Sequence, residues 1–166
     1  MRNNIKNIIV AIIVTASLIS CEQERLDPVL TTAEGGGTLT EYIAYTIAST
    51  DPGGSNVNGR IVFWKDNLDR TLVQISLYNT IPGIKHPALM MDGPVGDDTA
   101  TTLELDVVSG DSGELDANKF HIIADTEFYT SLPTMDVHLN ILMSESDNTI
   151  IATGNLGINT EPVETN

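Results

Sequence analysis

The sequence predicts an all-β fold, an antiparallel Greek-key β-sandwich of about seven strands. Short segments rich in Ile, Val, Leu, Tyr and Thr are punctuated about every ten residues by Gly, Asn, Asp and Pro clusters. Two stretches, Val73/Ile75/Leu77 and Val137/Leu139/Ile141, alternate apolar with polar residues, the period-two mark of a strand with one buried face. No segment carries a sustained apolar stripe at helical spacing.

Taken in order, Glu22 to Thr40 is polar, contains Pro28 and ends in Glu34-Gly35-Gly36-Gly37-Thr38, the composition of a flexible tether. A strand is expected at Tyr42–Ala48. A hairpin follows, with arms Asn58–Trp64 and Arg70–Asn79 joined by the turn-forming Lys65-Asp66-Asn67-Leu68-Asp69. In its first arm Ile61 and Phe63 share a face with Gly59, opposite Val62 and Trp64. Further strands are expected at Ala88–Met91 and Thr102–Val108, while Asn118–Leu132 has no pattern that assigns it. A second hairpin joins Met135–Met143 to Thr149–Leu156 through Ser144-Glu145-Ser146-Asp147-Asn148. In its first arm Val137, Leu139 and Ile141 alternate with Asp136, His138 and Asn140. Past Gly157 the polar Ile158-Asn159-Thr160-Glu161-Pro162 reads as a fraying end. The expected organisation past residue 20 is therefore a tether (21–40), one sandwich domain (41–158) and a polar tail (159–166).

The 166 residues hold 8 Lys+Arg against 23 Asp+Glu, a formal net charge of −15. Phosphate backbones are bound by displacing counterions with Lys and Arg, so nucleic acid is excluded as a partner. Charged residues make up only 19% and hydrophobic residues 41%, which argues for a packed core and not a disordered polyelectrolyte.

Arg2 and Lys6 form a basic start to an apolar run from Ile8 to Ile19, too short for the ~20 residues of a permanent span. It closes on Leu18-Ile19-Ser20-Cys21, which resembles a bacterial lipobox. That resemblance implies a signal peptide over 1–20, cleavage before Cys21 and acyl chains attached to Cys21, which makes 21–40 a lipidated tether and the partner a membrane reached through a lipid anchor. A buried free cysteine after an ordinary signal is the alternative, but Glu22-Gln23-Glu24-Arg25 would surround it poorly. With Cys21 the only cysteine, no disulfide and no Cys-based metal or nucleophile site can form within the chain. Glu22 after the cysteine, and not Asp, points to an outer-membrane destination, periplasmic or surface-facing.

At His86-Pro87-Ala88-Leu89-Met90-Met91-Asp92-Gly93, at Met135-Asp136-Val137-His138-Leu139 and at Ile150-Ile151-Ala152-Thr153-Gly154-Asn155-Leu156-Gly157 the chain resembles the CHRD (chordin-type) domain of many bacterial lipoproteins. The opening strand Asn58-Gly59-Arg60-Ile61-Val62-Phe63 agrees with that order, and the resemblance covers most of Tyr42–Gly157. It implies a superoxide-dismutase-like or immunoglobulin-like sandwich. Where the family carries two later histidines in its His-x-His stretch, this chain has Leu89 and Met91, which leaves His86 and His138 as the residual metal candidates.

Two histidines need carboxylates to complete a zinc or copper site, and each has a simpler reading as a hydrogen-bonded structural residue. His121 has no recognisable partner in the sequence. Met90, Met91, Met135 and Met143 raise a soft copper site, but adjacent strand residues face opposite ways, and core packing is the simpler role. Asp92, Asp97 and Asp98 around Gly93-Pro94-Val95-Gly96 are candidate calcium ligands, as are Asp111, Glu114 and Asp116 around Gly110 and Gly113. Neither loop has EF-hand spacing, and solvated turns are the competing reading. No nucleophile elbow, phosphate loop or His-Glu-x-x-His helix occurs. The expectation is a non-catalytic binding or structural module of the cell envelope with no cofactor beyond the lipid on Cys21. Its partner is an envelope protein or a glycan. A degenerate metal-binding protein and a surface glycan binder are the alternatives, and Trp64, Tyr78 and Tyr129 are the candidate aromatic anchors.

Overall fold

The computed structural model describes residue 39, residues 41–97 and residues 99–164. Cys21, the signal segment, the tether apart from Leu39, and Asp98 lie outside these residues. Among the described residues ten strands form, all with antiparallel partners: β1 (Glu41–Ser49), β2 (Asn58–Lys65), β3 (Thr71–Tyr78), β4 (Lys85–His86), β5 (Ala88–Asp92), β6 (Thr101–Glu104), β7 (Val108–Ser109), β8 (His121–Ile123), β9 (Asp136–Ser144) and β10 (Asp147–Gly157). Eight of them are ordered β6-β5-β9-β10-β1-β2-β3-β8, and β4 pairs with β7 in a separate ribbon. Among the described residues no helix is long and apolar enough to cross a membrane.

One strand divides the large sheet into two halves. Glu41–Ile47 of β1 pairs with β2, whereas Ala48 and Ser49 pair with Thr153 and Ala152 of β10. The halves close over one core, to which β1, β2 and β3 contribute Tyr45, Ile61, Phe63 and Ile75, and β5, β9 and β10 contribute Met90, Leu139, Ile141 and Leu156. The alternating residues of both hairpins thus face inward as their period requires. The all-β sandwich is what the sequence predicts; the strand number is not. The three strands beyond seven are two or three residues long, too short to display a period. The expected Thr102–Val108 strand divides into β6 and β7. The unassigned stretch holds β8 and a one-turn helix, α1 (Phe128–Ser131), which runs into a 3-10 turn at Leu132–Thr134.

Two glycines show why Gly opens one strand and recurs in another. A Cβ on Gly59 would lie 2.0 Å from the carbonyl oxygen of Ser76, and one on Gly154 would lie 2.4 Å from that of Thr46. At both, neighbouring backbone occupies the space of a side chain.

In the β2–β3 turn Asp66 is buried. Its Oδ1 accepts the amides of Leu68 and Arg70, both at 2.9 Å, and its Oδ2 accepts Arg70 Nε at 2.8 Å and Nη2 at 2.7 Å. Burial pushes its carboxyl up, but the Arg70 guanidinium and the two amides together hold it below the usual carboxylate range.

The segment after Gly157 does not fray. Ile158 donates to Met135 O at 3.0 Å, Asn159 Nδ2 to Asp136 Oδ1 at 2.9 Å, and Val163 to Ala44 O at 2.8 Å. The amide of Val163 uses a backbone acceptor on β1 where that strand has parted from β10.

Candidate functional site

The outer face of the β5–β9–β10 half is covered around His138 and Asn140. His138 is 1% and Asn140 8% exposed. The loop after β5 is the cover: Gly93 donates to Asp136 O at 2.8 Å, Pro94–Asp97 form a turn closed by Asp97 N to Pro94 O at 3.2 Å, and Val95 N donates to Asn155 Oδ1 at 2.7 Å. Gly93 adopts φ +75°, a left-handed turn conformation suited to glycine.

Beside this loop lies an open concavity of about 700 Å³. Leu89, Met91, Leu142 and Ile150 provide apolar walls, and His138, Asn140 and Thr153 a polar floor. His138 Nδ1 is 2.8 Å from the Gly93 carbonyl, Asn140 Nδ2 is 3.2 Å from His138 Nε2, and Thr153 Oγ1 is 2.8 Å from both Asn140 Oδ1 and Leu139 O. A carbonyl can only accept, so Nδ1 carries a proton and Nε2 accepts from Asn140 in the neutral ring. Asn140, with four hydrogen-bonding positions, retains one N–H and one lone pair after serving His138 and Thr153.

The structure does not bring the two candidate metal histidines together. His86 is fully buried, with Nδ1 3.1 Å from Leu142 O and Nε2 accepting the Ile81 amide at 3.5 Å. Residues 138 and 142 are four apart on β9, about 13 Å along a strand, so the rings sit at opposite ends of the β5–β9 pairing. Both imidazoles spend their nitrogens on protein groups, as structural histidines do. Among the described residues no group of three or more His, Cys, Asp or Glu side chains is placed to hold a metal.

The acidic loops have local tasks. Asp92 Oδ1 accepts the Thr102 hydroxyl, and the Asp92 carbonyl that of Thr99. Asp97 lines the concavity. Asp111 accepts the Gly83 amide at 2.9 Å, and Asp116 pairs with Lys85 at 2.7 Å. His121 Nδ1 lies 3.2 Å from Asp106 Oδ2, a partner fifteen residues removed that no local spacing reveals. Met90 is buried in the core, while Met91 on the opposite face lines the concavity and accepts the Thr101 hydroxyl at 3.4 Å.

Of the candidate aromatic anchors, Tyr129 is unsuitable, because it is packed into the core from α1. Tyr78 is exposed. Trp64 lies on the outer face of the other half, its ring 5.2 Å from that of Tyr42 and its Nε1–H on Gln74 Oε1 at 3.3 Å. Asn140 and Thr153 were absent from the sequence-derived candidates. Their only signal was position on the same face as His138 in adjoining strands, legible once the Thr153–Asn140 register is known. Comparisons with protein-family models, with curated proteins and with solved structures gave no match.

Proposed function

We propose that this protein is an exported, lipid-anchored envelope lipoprotein whose CHRD-like sandwich is a non-catalytic binding module, with the concavity beside the Gly93–Asp97 loop as its ligand site. The observation that carries this reading is the concavity itself: apolar walls around a few convergent polar groups, in a volume typical of small-molecule or peptide-segment sites. Its polar floor is an amide, a hydroxyl and an imidazole already bonded on both nitrogens, a constellation that orients a ligand and lacks an activated nucleophile. The anchoring half of the proposal rests on the lipobox resemblance at Leu18-Ile19-Ser20-Cys21.

Both halves are testable on one protein. Cells expressing the full chain are fed an alkynyl fatty acid; wild type should carry the label and Cys21→Ser should not, and an unlabelled wild type would refute the anchor. The purified chain is then titrated with Nile red, a neutral apolar dye that fluoresces when desolvated. Saturable binding that Ile150→Asp abolishes supports the concavity as the site. Non-saturable binding, or binding indifferent to Ile150→Asp, counts against it.

A further inference from the structure

We propose that His138, Asn140 and Thr153 form a proton-gated amide switch: uptake of a proton at His138 reverses the Asn140 amide and exchanges the donor and acceptor that the concavity floor offers a ligand. This rests on the reading of the concavity as a binding site and assigns its regulation.

The argument is an inventory of hydrogens. In the neutral ring, Nδ1–H donates to Gly93 O and the Asn140 N–H donates to Nε2. Thr153 then has one hydroxyl proton for two acceptors, Asn140 Oδ1 and Leu139 O, both at 2.8 Å. One of the two goes without it.

Adding a proton from solvent at Nε2 makes that atom a donor, and the Asn140 N–H facing it becomes a donor against a donor. A half-turn of the amide about its terminal torsion places oxygen and nitrogen in each other's positions with the heavy atoms otherwise unmoved. Every group then has one role: Nδ1–H to Gly93 O, Nε2–H to Asn140 Oδ1, Asn140 N–H to Thr153 Oγ1, and Thr153 O–H to Leu139 O. Hydrogen bonds donated by a charged ring are stronger than those of a neutral one, and Asn140 is buried enough that an unmatched amide is costly.

The charged groups on the elements packed against His138 are carboxylates. Asp92 ends β5 and is held by Thr102, Asp97 lies on the covering loop, and Asp136 sits two residues earlier on the same face of β9, held by Asn159. From β10 come the uncharged Thr153 and Asn155.

In either state Asn140 keeps one unused N–H and one unused lone pair, but their places are exchanged. A ligand amide edge matched to one state meets donor against donor and acceptor against acceptor in the other. Ligand capture therefore follows the protonation state of the His138 ring.

The test is NMR on the isotope-labelled full chain in detergent micelles, from about pH 8 to about pH 5, where an imidazole gains its second proton. His138 ring nitrogen shifts report protonation, and cross-relaxation of the Asn140 side-chain NH₂ reports its neighbour. The expected result is that the NH₂ contact moves from the His138 ring to the Thr153 methyl in step with the ring, with Thr153→Ser retaining the switch and Thr153→Val losing it. An NH₂ that keeps one neighbour while the ring titrates overturns the proposal, as does a ring that takes no second proton. No ligand is needed, so a fixed amide alongside saturable Nile red binding refutes the switch alone. A working switch without that binding refutes the concavity as a site.

Discussion

Replacing Asp66 by Ala removes the centre of the β2–β3 turn, and its cost can be worked from the contacts. Four donors lose their acceptor: the amides of Leu68 and Arg70, and Nε and Nη2 of Arg70. The Arg70 side chain is 28% exposed and Leu68 is 58% exposed, so both regain water in part. The loss should therefore fall at the lower end of that for breaking a buried ion pair, about 2–3 kcal/mol. For a chain of this size that is a fall in unfolding temperature of roughly 5–10 °C. Asp66→Asn retains the Oδ1 acceptor but turns an NH₂ toward the guanidinium, and should lose roughly half as much. The pH dependence has a definite sign. Because the folded-state carboxyl is held below its ordinary range, its stabilisation is fully present above the unfolded value of about 3.9 and disappears as pH falls through the lower native value. Urea unfolding of the 22–166 chain and of Asp66→Ala, at neutral pH and through the acid range, measures the difference. A loss below about 0.5 kcal/mol at pH 7, the scatter of neutral surface substitutions, would refute the reasoning, and so would a difference that does not shrink with acid.

Other expectations are as direct. Gly59→Ala drives a Cβ into the Ser76 carbonyl and the Leu77 Cα and should cost about 2–4 kcal/mol by the same unfolding assay, while an unchanged midpoint would show that β3 yields freely. His86→Ala, which strips two hydrogen bonds from a fully buried site, should cost about 2–4 kcal/mol; a loss no larger than that of the partly exposed His121→Ala would contradict the structural role. Thr71 Oγ1 is buried without a hydrogen-bond partner, so Thr71→Val should raise stability by about 1 kcal/mol, and a loss of that size would reveal an acceptor. Zinc, copper or calcium added to the chelated chain should leave the melting temperature in place. A metal at 100 times its dissociation constant would add about 2.7 kcal/mol, and such a rise, abolished by His138→Ala, would establish a metal site there.

What the sequence by itself determined is whatever is written at short range. The period of two in Val73/Ile75/Leu77 and in Val137/Leu139/Ile141 sets which side chains enter the core, and those residues are buried in the fold. Turn chemistry at Lys65–Asp69 and at Ser144–Asn148 places both hairpins, because Asp66 and Asp147 satisfy nearby amides with their own oxygens. The brief strands β4, β7 and β8 carry no such signal, since two or three residues cannot show a repeat. Local pattern does not settle the exposure of the outer face of β9. Alternation says only that His138 and Asn140 point away from the core; whether that side meets water depends on where the Gly93–Asp97 loop comes to rest. The tertiary structure alone decided that His86 and His138 stand apart, that Asp106 finds His121, and that Thr153 completes the floor with Asn140. Such pairings join residues thirteen or more positions apart, and the register that aligns them is set by packing the whole sheet at once, not by any one segment.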